Sequence, residues 1–185
     1  MAVVMNKFAG CIFAVLFPLG LQAETPCPLN IKPVPFHSSQ QRQIIVQVSI
    51  NKTGTYDFLL DTGSQMTVVD SSLAAELGLA SKGTANVAGM SVRGQTKFAQ
   101  LQRLKLGGYA STNQRVLVYD MIKLQRAGFA IRGLLGQDFL SRFDVFIDNA
   151  RSVLCIDDTG AMEANVKGRL RPEEKQSEAE RAGQE

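Results

Sequence analysis

The chain has 185 residues, of which 45% are hydrophobic and 20% charged, a balance typical of a globular protein with one hydrophobic core. Its formal net charge is +3, and no Lys or Arg cluster is long enough to form a nucleic-acid surface. Composition and charge therefore exclude nucleic acid as the expected partner.

The N-terminal segment, residues 1–23, differs in composition from the rest of the chain. Lys7 is its only charge, an apolar run follows at 8–21, and the small residue Ala23 ends it, as in a secretory signal peptide. An uncleaved membrane anchor is the alternative, but the run is shorter than the roughly 20 apolar residues that span a bilayer and it contains Pro18. We expect an exported protein, periplasmic or secreted, with no stable membrane span after cleavage.

Cleavage of the signal would remove Cys11 and leave Cys27 and Cys155 as the only sulfhydryls, in an oxidising compartment. These two are either joined by a disulfide, worth about 4–5 kcal/mol in the chain-entropy model, or are separate buried thiols. With the single histidine, His37, they cannot form a four-ligand structural zinc site. No metal and no cofactor is expected.

The first elements lead to an aspartate. Four prolines between residues 24 and 42 predict an extended arm, and the folded domain is expected at 43–160. Alternation over Gln43–Ile50 ("QIIVQVSI") predicts a strand, and Thr55–Leu60 predicts the second strand of a hairpin. This hairpin brings Asp61 to its exit.

The predicted elements beyond this aspartate are short and mostly β. In chain order they are a strand at Thr67–Val69, a helix at Ser71–Leu77 closed by Gly78, a glycine-hinged hairpin over Val87–Leu106 around "AGMSVRG", a strand at Arg115–Tyr119, a strand and short helix over Gly133–Phe143, and a hairpin over Val145–Ile156 turned at Asn149. Residues 161–185 are charged and poor in large apolar side chains, which predicts a disordered tail.

Asp61 ends an apolar strand, where a charge is costly unless it is hydrogen-bonded or used in chemistry. Leu59–Ser64 ("LLDTGS"), followed by Thr67–Val69, resembles the active-site loop of the retroviral-type aspartic proteases, or retropepsins. Leu134–Leu140 ("LLGQDFL") is similar to the second motif of that family. The resemblance covers roughly residues 43–156.

The resemblance implies a mainly β, single-lobe acid protease barrel with one or two short helices. It also implies an aspartic endopeptidase that cuts extended polypeptides as a two-fold homodimer, because one chain supplies one catalytic carboxylate, Asp61. The two copies of this residue would share a proton and activate a water between them.

The same resemblance implies supporting roles for the neighbouring residues. Thr62 would join the two loops across the axis, Gly63 would allow close approach of the substrate, and Ser64 would hydrogen-bond the carboxylate. A flap tip and side-chain pockets would be formed by Gly89, Met90, Val68 and Leu134. An ordinary hairpin turn is an equal alternative for the flap tip.

A second Asp-Thr-Gly occurs at Asp158–Gly160, but it does not supply the missing carboxylate. Asp157 stands where Leu60 stands in the first copy, no Thr-Val-Val follows, and the 25 residues that remain cannot bury a second lobe. We expect a surface turn at this position.

Viral members often carry an acid and an arginine that pair with each other where this chain has Gln65 and Gln137. Any contact between these two positions is expected to use amide hydrogen bonds instead of an ion pair. One alternative function is a catalytically silent peptide-binding or dimerisation module of the same fold. A serine hydrolase using Ser64 and His37 is disfavoured, because this histidine lies in the predicted arm.

Overall fold

The computed structural model describes residues 26–88, 93–165 and 167. Its strands are β1 Pro33–Ser38, β2 Ile44–Ile50, β3 Gly54–Leu60, β4 Val68–Asp70, β5 Thr84–Ala88, β6 Arg93–Leu106, β7 Tyr109–Tyr119, β8 Gly133–Leu135, β9 Asp144–Asp148 and β10 Val153–Asp157. Its α-helices are α1 Ser71–Glu76, α2 Ile122–Arg126 and α3 Gln137–Leu140, and a 3-10 turn spans Pro28–Asn30.

Six of the strands close into a barrel. They pair in the order β2, β3, β8, β4, β7 and β6, and β6 then returns to pair with β2. The pairs β3–β8 and β4–β7 are parallel, which places the chain segments that leave β3 and β8 side by side at one end of the barrel. The predicted mainly β, single-lobe fold is confirmed.

The barrel interior is filled by the alternating faces that the sequence pattern predicts. On β2, Val46, Val48 and Ile50 are fully buried, and they pack with Phe58 of β3 and Leu104 of β6. Because side chains alternate across a strand, Gln47 and Ser49 face outward from the same strand. Hydrophobic burial on the predicted face therefore holds the hairpin that leads to Asp61.

The proline-rich segment is part of the fold, which differs from the predicted arm at 24–42. The first half of β1 pairs with β10, with Val34 opposite Leu154, and its second half pairs with β2, with Phe36 opposite Val46. Val34 and Phe36 are buried, so this strand contributes to the core. The ordered domain thus begins well before the predicted start at residue 43.

Other differences concern element length and number. The strand predicted from Arg115 begins at Tyr109, and the short helix α2 was not predicted. Residues 161–165 are helical, which extends the ordered chain past the predicted boundary at residue 160. The predicted hairpin over Val87–Leu106 corresponds to β5 and β6, and its tip at 89–92, with Gly89 and Met90, lies outside the described residues.

A disulfide joins Cys27 to Cys155 across a sequence separation of 128 residues. Both cysteines are buried, and Met162 and Ile31 pack against them. The bridge attaches the segment before β1 to the middle of β10. Within the described part of the chain, no helix is long and apolar enough to cross a lipid bilayer.

We predict that removing this bridge, with Cys27→Ser and Cys155→Ser together, lowers the free energy of unfolding by about 4–5 kcal/mol, because the unfolded chain regains the freedom of a very long loop. Equilibrium unfolding in urea measures the difference. A reducing agent should lower the stability of the parent and leave the double variant unchanged. Equal stability of parent and variant under oxidising conditions would contradict the prediction.

Candidate active site

Asp61 follows directly after β3, at the barrel end where β3 and β8 run parallel. Leu60 lies opposite Leu135 in this pairing, and the Asp61 N–H donates a hydrogen bond of 3.0 Å to the Leu135 carbonyl. The side chain is half-buried. A strand that pairs up to its last residue thus places a carboxylate at the mouth of the barrel.

Two backbone N–H groups orient this carboxylate. The N–H of Gly63 donates to Asp61 Oδ1 at 3.0 Å, and the N–H of Ser64 donates to the same oxygen at 3.2 Å. The Ser64 hydroxyl instead donates to the Met66 carbonyl at 2.7 Å. The hydrogen bond expected from Ser64 to the carboxylate is therefore made by its main chain, and its side chain stabilises the next turn of the loop.

The second motif holds the Asp61 loop through a set of main-chain contacts. The N–H of Gln137 donates to the Ser64 carbonyl at 2.8 Å, and the N–H of Asp138 donates to the Gln65 carbonyl at 3.1 Å. The Gln137 side-chain amide donates to the Thr62 carbonyl at 3.0 Å. Gln137 thus binds the loop backbone at Thr62, whose own side chain is exposed.

Asp138 has a structural role that the sequence did not predict, although the residue belongs to the second motif. Its Oδ1 accepts hydrogen bonds from the Thr67 N–H at 2.9 Å and from the Thr67 hydroxyl at 2.7 Å. Its Oδ2 accepts from the Gln114 amide at 2.8 Å, and the Ser111 hydroxyl donates to that amide's oxygen at 2.6 Å. This carboxylate joins both motifs to β7. The sequence feature that could have predicted this role is a hydroxyl in the first motif, Thr67, and an acid in the second, Asp138.

Gly136 allows the two motifs to approach this closely. A Cβ at this position would lie 2.5 Å from the Met66 carbonyl carbon and 2.9 Å from the Thr67 nitrogen. These neighbours are backbone atoms, which cannot rotate away. The Gly136 N–H also donates to the buried Thr67 hydroxyl at 3.2 Å. A glycine is therefore required here by contact, because any side chain would separate the motifs.

The two residues proposed as pocket residues are adjacent. Val68 of β4 lies opposite Leu134 of β8, and both belong to an apolar cluster next to the Asp61 loop. The other members of this cluster are Ile45, Met121, Phe129 and Ile131, with Leu59, Leu117, Tyr119 and Leu124 packed around them. Leu124 lies in α2, and Phe129 and Ile131 lie in the loop after it. The sequence did not predict these contacts because that segment contains no motif.

The second Asp-Thr-Gly is a capping turn after β10, as the sequence predicts. Buried Asp157 accepts from the Thr159 hydroxyl at 2.6 Å and from the Met162 N–H at 2.9 Å, at the start of the helical residues 161–165. Hydrogen bonds from Thr159 and Met162 lower the pKa of Asp157. Asp158 is exposed, and β10 is separated from β3 by β1 and β2.

His37 lies on β1, and its Nε2 is 3.9 Å from Asp57 Oδ2. The Ser64 hydroxyl donates to a main-chain carbonyl, so the described contacts of these two residues do not form the pair that a serine hydrolase needs.

A buried charge supports the strand that carries Val68. Asp70 ends β4, is 2% exposed, and accepts hydrogen bonds from the Met121 N–H at 3.0 Å and from the Ser72 hydroxyl. Arg132 Nε lies 4.0 Å from its Oδ2. Burial alone would raise the pKa of Asp70, but the Ser72 and Met121 hydrogen bonds and the Arg132 charge outweigh it and lower this pKa.

Barrel, loop and second motif together define the class of the fold, a single-lobe acid protease barrel. Residues 46–139, just over half of the chain, match the family model described as aspartyl protease. The chain therefore belongs to the aspartyl protease family, and the predicted family is confirmed.

Solved structures of similar proteins include a retropepsin-like aspartic protease from Rickettsia conorii, which is 18% identical, with a TM-score of 0.49, over 68% of this chain and 90% of that chain. Another is the EIAV protease in complex with the inhibitor HBY-793, which is 21% identical, with a TM-score of 0.42, over 57% of this chain and 91% of that chain. No curated protein matches the chain.

We predict that Gly136→Ala lowers the free energy of unfolding by about 1–3 kcal/mol or more, the usual cost of forcing an extra methyl group into a packed interior. The new methyl group would displace the backbone at Met66 and Thr67. Gly108→Ala is the matched control, because a Cβ there meets no atom within 4 Å and its φ is not positive. Thermal unfolding measures both variants, and equal melting temperatures would contradict the prediction.

We predict that Asp70 makes part of the free energy of unfolding depend on pH in the acidic range. Its pKa is lower in the folded than in the unfolded chain, so its contribution is complete above the ordinary carboxyl pKa near 3.8 and is lost as the pH falls through the lowered folded pKa. The stability difference between the parent and Asp70→Asn should be largest near neutral pH and shrink below about pH 4. Urea unfolding across this pH range measures it, and a difference independent of pH would rule the account out.

Proposed function

We propose that the chain is an aspartic endopeptidase that hydrolyses peptide bonds in extended polypeptides and acts as a homodimer. The single observation that carries the proposal is the geometry of Asp61, a carboxylate at the barrel mouth whose Oδ1 accepts two backbone N–H groups. The family membership of the chain supports the same reaction.

The reaction needs a second carboxylate. Asp138 is engaged by Thr67 and Gln114, and Asp157 caps a turn, so neither is available for it. A two-fold axis would place Asp61 of one protomer beside Asp61 of its partner, since such an axis brings identical surfaces together. The exposed Thr62 side chain lies next in sequence, where it can reach across the same axis.

In the proposed mechanism, the two Asp61 carboxyl groups carry one proton between them, because two close carboxylates do not both ionise. The ionised group takes a proton from a bound water, whose oxygen attacks the peptide carbonyl carbon. The protonated group gives its proton to the carbonyl oxygen, which forms a tetrahedral diol. The group that is now protonated gives its proton to the amide nitrogen while the ionised group takes a proton from a diol hydroxyl, so the C–N bond breaks to leave an amine and a carboxylic acid. The pair again holds one proton, and no covalent enzyme intermediate forms.

The proposed substrate is an extended chain that lies across the barrel mouth. Gly63 lies beside the carboxylate, where it allows close approach of a substrate backbone, and Val68 and Leu134 offer apolar contact for a side chain. The β5–β6 hairpin would cover the substrate, with Gly89 and Met90 at its tip.

We also propose that the protein works outside the cytoplasm, in the periplasm or as a secreted protein. Two observations support this location: the apolar run at 8–21 and the disulfide between Cys27 and Cys155, since disulfides persist in oxidising compartments. A membrane-anchored form with an uncleaved signal is the alternative. N-terminal sequencing of the exported protein distinguishes the two.

We predict that Asp61→Asn abolishes peptide cleavage, lowering kcat/KM by about 10³-fold or more, because both ionisable groups of the pair are lost from general acid–base catalysis. Digestion of a peptide library at several pH values, with and without pepstatin, measures the activity. Asp158→Asn is the matched control, since it alters the exposed aspartate of the second Asp-Thr-Gly and should leave cleavage unchanged.

Mixing the parent with excess Asp61→Asn should reduce activity more than dilution does, because heterodimers carry one carboxylate. The parent should show a bell-shaped pH profile on the acidic side of neutral, which reports the pair. If Asp61→Asn cuts as well as the parent, the proposed enzyme is wrong. If the parent cuts nothing at any acidic pH, the silent binding module is favoured instead.

A further inference from the structure

The middle of the chain carries basic residues and no acidic ones. Residues 77–119 contain no Asp or Glu, and their six basic residues are Lys82, Arg93, Lys97, Arg103, Lys105 and Arg115. The strands β5, β6 and β7 lie in this stretch and form one end of the sheet order. The strands at the other end, β9 and β10, carry Asp144, Asp148 and Asp157. Opposite charges are therefore separated along the sheet.

A pocket with basic walls lies where the turn between β2 and β3 meets β6. It has a volume of about 350 Å³ and is lined by Ser49, Asn51, Lys52, Arg103 and Lys105. Ser49 lies opposite Lys105 in the pairing of β2 with β6, so these two side chains share a face of the sheet. Arg103, two residues from Lys105 on β6, belongs to the same face. We call these five residues the cationic pocket.

Main-chain hydrogen bonds fix the turn against β6. The N–H of Asn51 donates to the Arg103 carbonyl at 2.9 Å, and the N–H of Arg103 donates to Asn51 Oδ1 at 3.0 Å. Within the turn, the Thr53 hydroxyl donates to the Ile50 carbonyl at 2.8 Å. The backbone of the cationic pocket is therefore formed before any ligand binds, which lowers the entropic cost of binding.

The positive charges of the cationic pocket have no acidic partner in the described part of the chain. Lys52 and Arg103 are exposed and Lys105 is half-buried, and none of the three forms an ion pair there. The basic residues that do form ion pairs are His37, Arg132, Arg151 and Lys167. Like charges held together repel, so a ligand that neutralises them is favoured. The expected ligand is an anion.

Two observations favour an acidic polypeptide over an anionic membrane as this ligand. Segments that bind membrane surfaces combine basic residues with exposed apolar ones. In the described ranges, the large apolar residues that are exposed lie outside β5–β7 and outside the cationic pocket, and they are Leu29, Ile122, Val145, Phe146 and Ile147. In addition, β6 runs without a break from the β5–β6 hairpin, which would cover the substrate, to the cationic pocket.

The cationic pocket lies at the barrel end opposite Asp61. The strand β3 begins after the turn that carries Asn51 and Lys52 and ends at Leu60, and its seven residues span about 20 Å. An extended peptide needs at least about six residues to cover this distance. A ligand in the cationic pocket is therefore remote from the peptide bond that Asp61 would cleave.

We propose that the cationic pocket is an exosite that binds an acidic segment of the polypeptide substrate, at least about six residues from the scissile bond. This inference rests on the proposed function, which it extends by naming a substrate class. Basic residues at such a site attract an acidic chain and make its binding sensitive to salt. Because the pocket touches no reacting atom, it binds the ground state and the transition state alike and lowers KM without raising kcat.

The first test measures binding to the full chain, with labelled octa-glutamate as the probe and fluorescence anisotropy as the readout. Arg103→Gln with Lys105→Gln should raise the Kd by about fivefold or more, the combined effect of two exposed charge pairs. Higher salt should weaken binding to the parent. The matched control is Lys123→Gln with Arg126→Gln, which removes the same charge from exposed positions on α2 and should leave the Kd unchanged. Thermal unfolding establishes that both double variants are folded.

Three results of this measurement would overturn the exosite. The first is a parent that does not bind octa-glutamate, and the second is binding that the two double variants weaken equally, since net charge alone would explain it. The third is binding to vesicles of anionic phospholipid that only the Arg103 and Lys105 variant loses, without binding of octa-glutamate. That third result would assign the surface to a membrane.

The second test separates the exosite from the protease. A peptide that the parent cuts is extended by a neutral linker of about eight residues and a run of glutamates, and is compared with the same peptide ending in glutamines. The parent should cut the glutamate form with a KM about fivefold lower and an unchanged kcat, and Arg103→Gln with Lys105→Gln should lose most of this difference.

The two proposals fail in different ways. Equal KM values for the two peptides in the parent would refute the exosite and leave the protease intact. A parent that cuts neither peptide, but binds octa-glutamate through Arg103 and Lys105, would refute the protease and support the cationic pocket as a site for acidic peptides.

Discussion

The close contact between the two motifs is the constraint on which the site depends. Gly136 brings the second motif to within contact distance of the backbone at Met66 and Thr67, and Asp138 then binds both polar groups of Thr67. These bonds are buried or partly buried, where an unmade hydrogen bond costs more than a made one contributes. The loop that carries Asp61 is therefore held in place by the second motif.

This arrangement gives a rigid half-site. The barrel closes through β6 and β2, the parallel pair β3 and β8 sets the height of Asp61, and two N–H groups of its own loop set the orientation of its carboxylate. Catalytic groups on such a framework need little reorganisation during reaction. The proposed reaction needs a second carboxylate beside Asp61, and in that proposal a second copy of the chain supplies it.

The strands β1, β9 and β10 lie outside both motifs and form the end of the sheet beyond β2. The disulfide holds Cys27 to β10, β1 joins β10 to the barrel, and β9 lies at the edge.

The sequence by itself determined the local features: the period of two on β2 and β3, the glycine at residue 78, the order of the two motifs and Asp61 as the acid at a strand end. Each depends on residues near in sequence, which is where backbone preference and alternation act. The strand β1, the helix α2, the bonds of Asp138 and the exposed edge at Phe146 were decided only by the tertiary structure. The prolines of β1 are typical of an extended arm, and α2 contains no motif, so the sequence predicted neither element. The bonds of Asp138 and the edge at Phe146 depend on contacts between residues that are distant in sequence, such as Thr67 and Asp138, which are 71 positions apart.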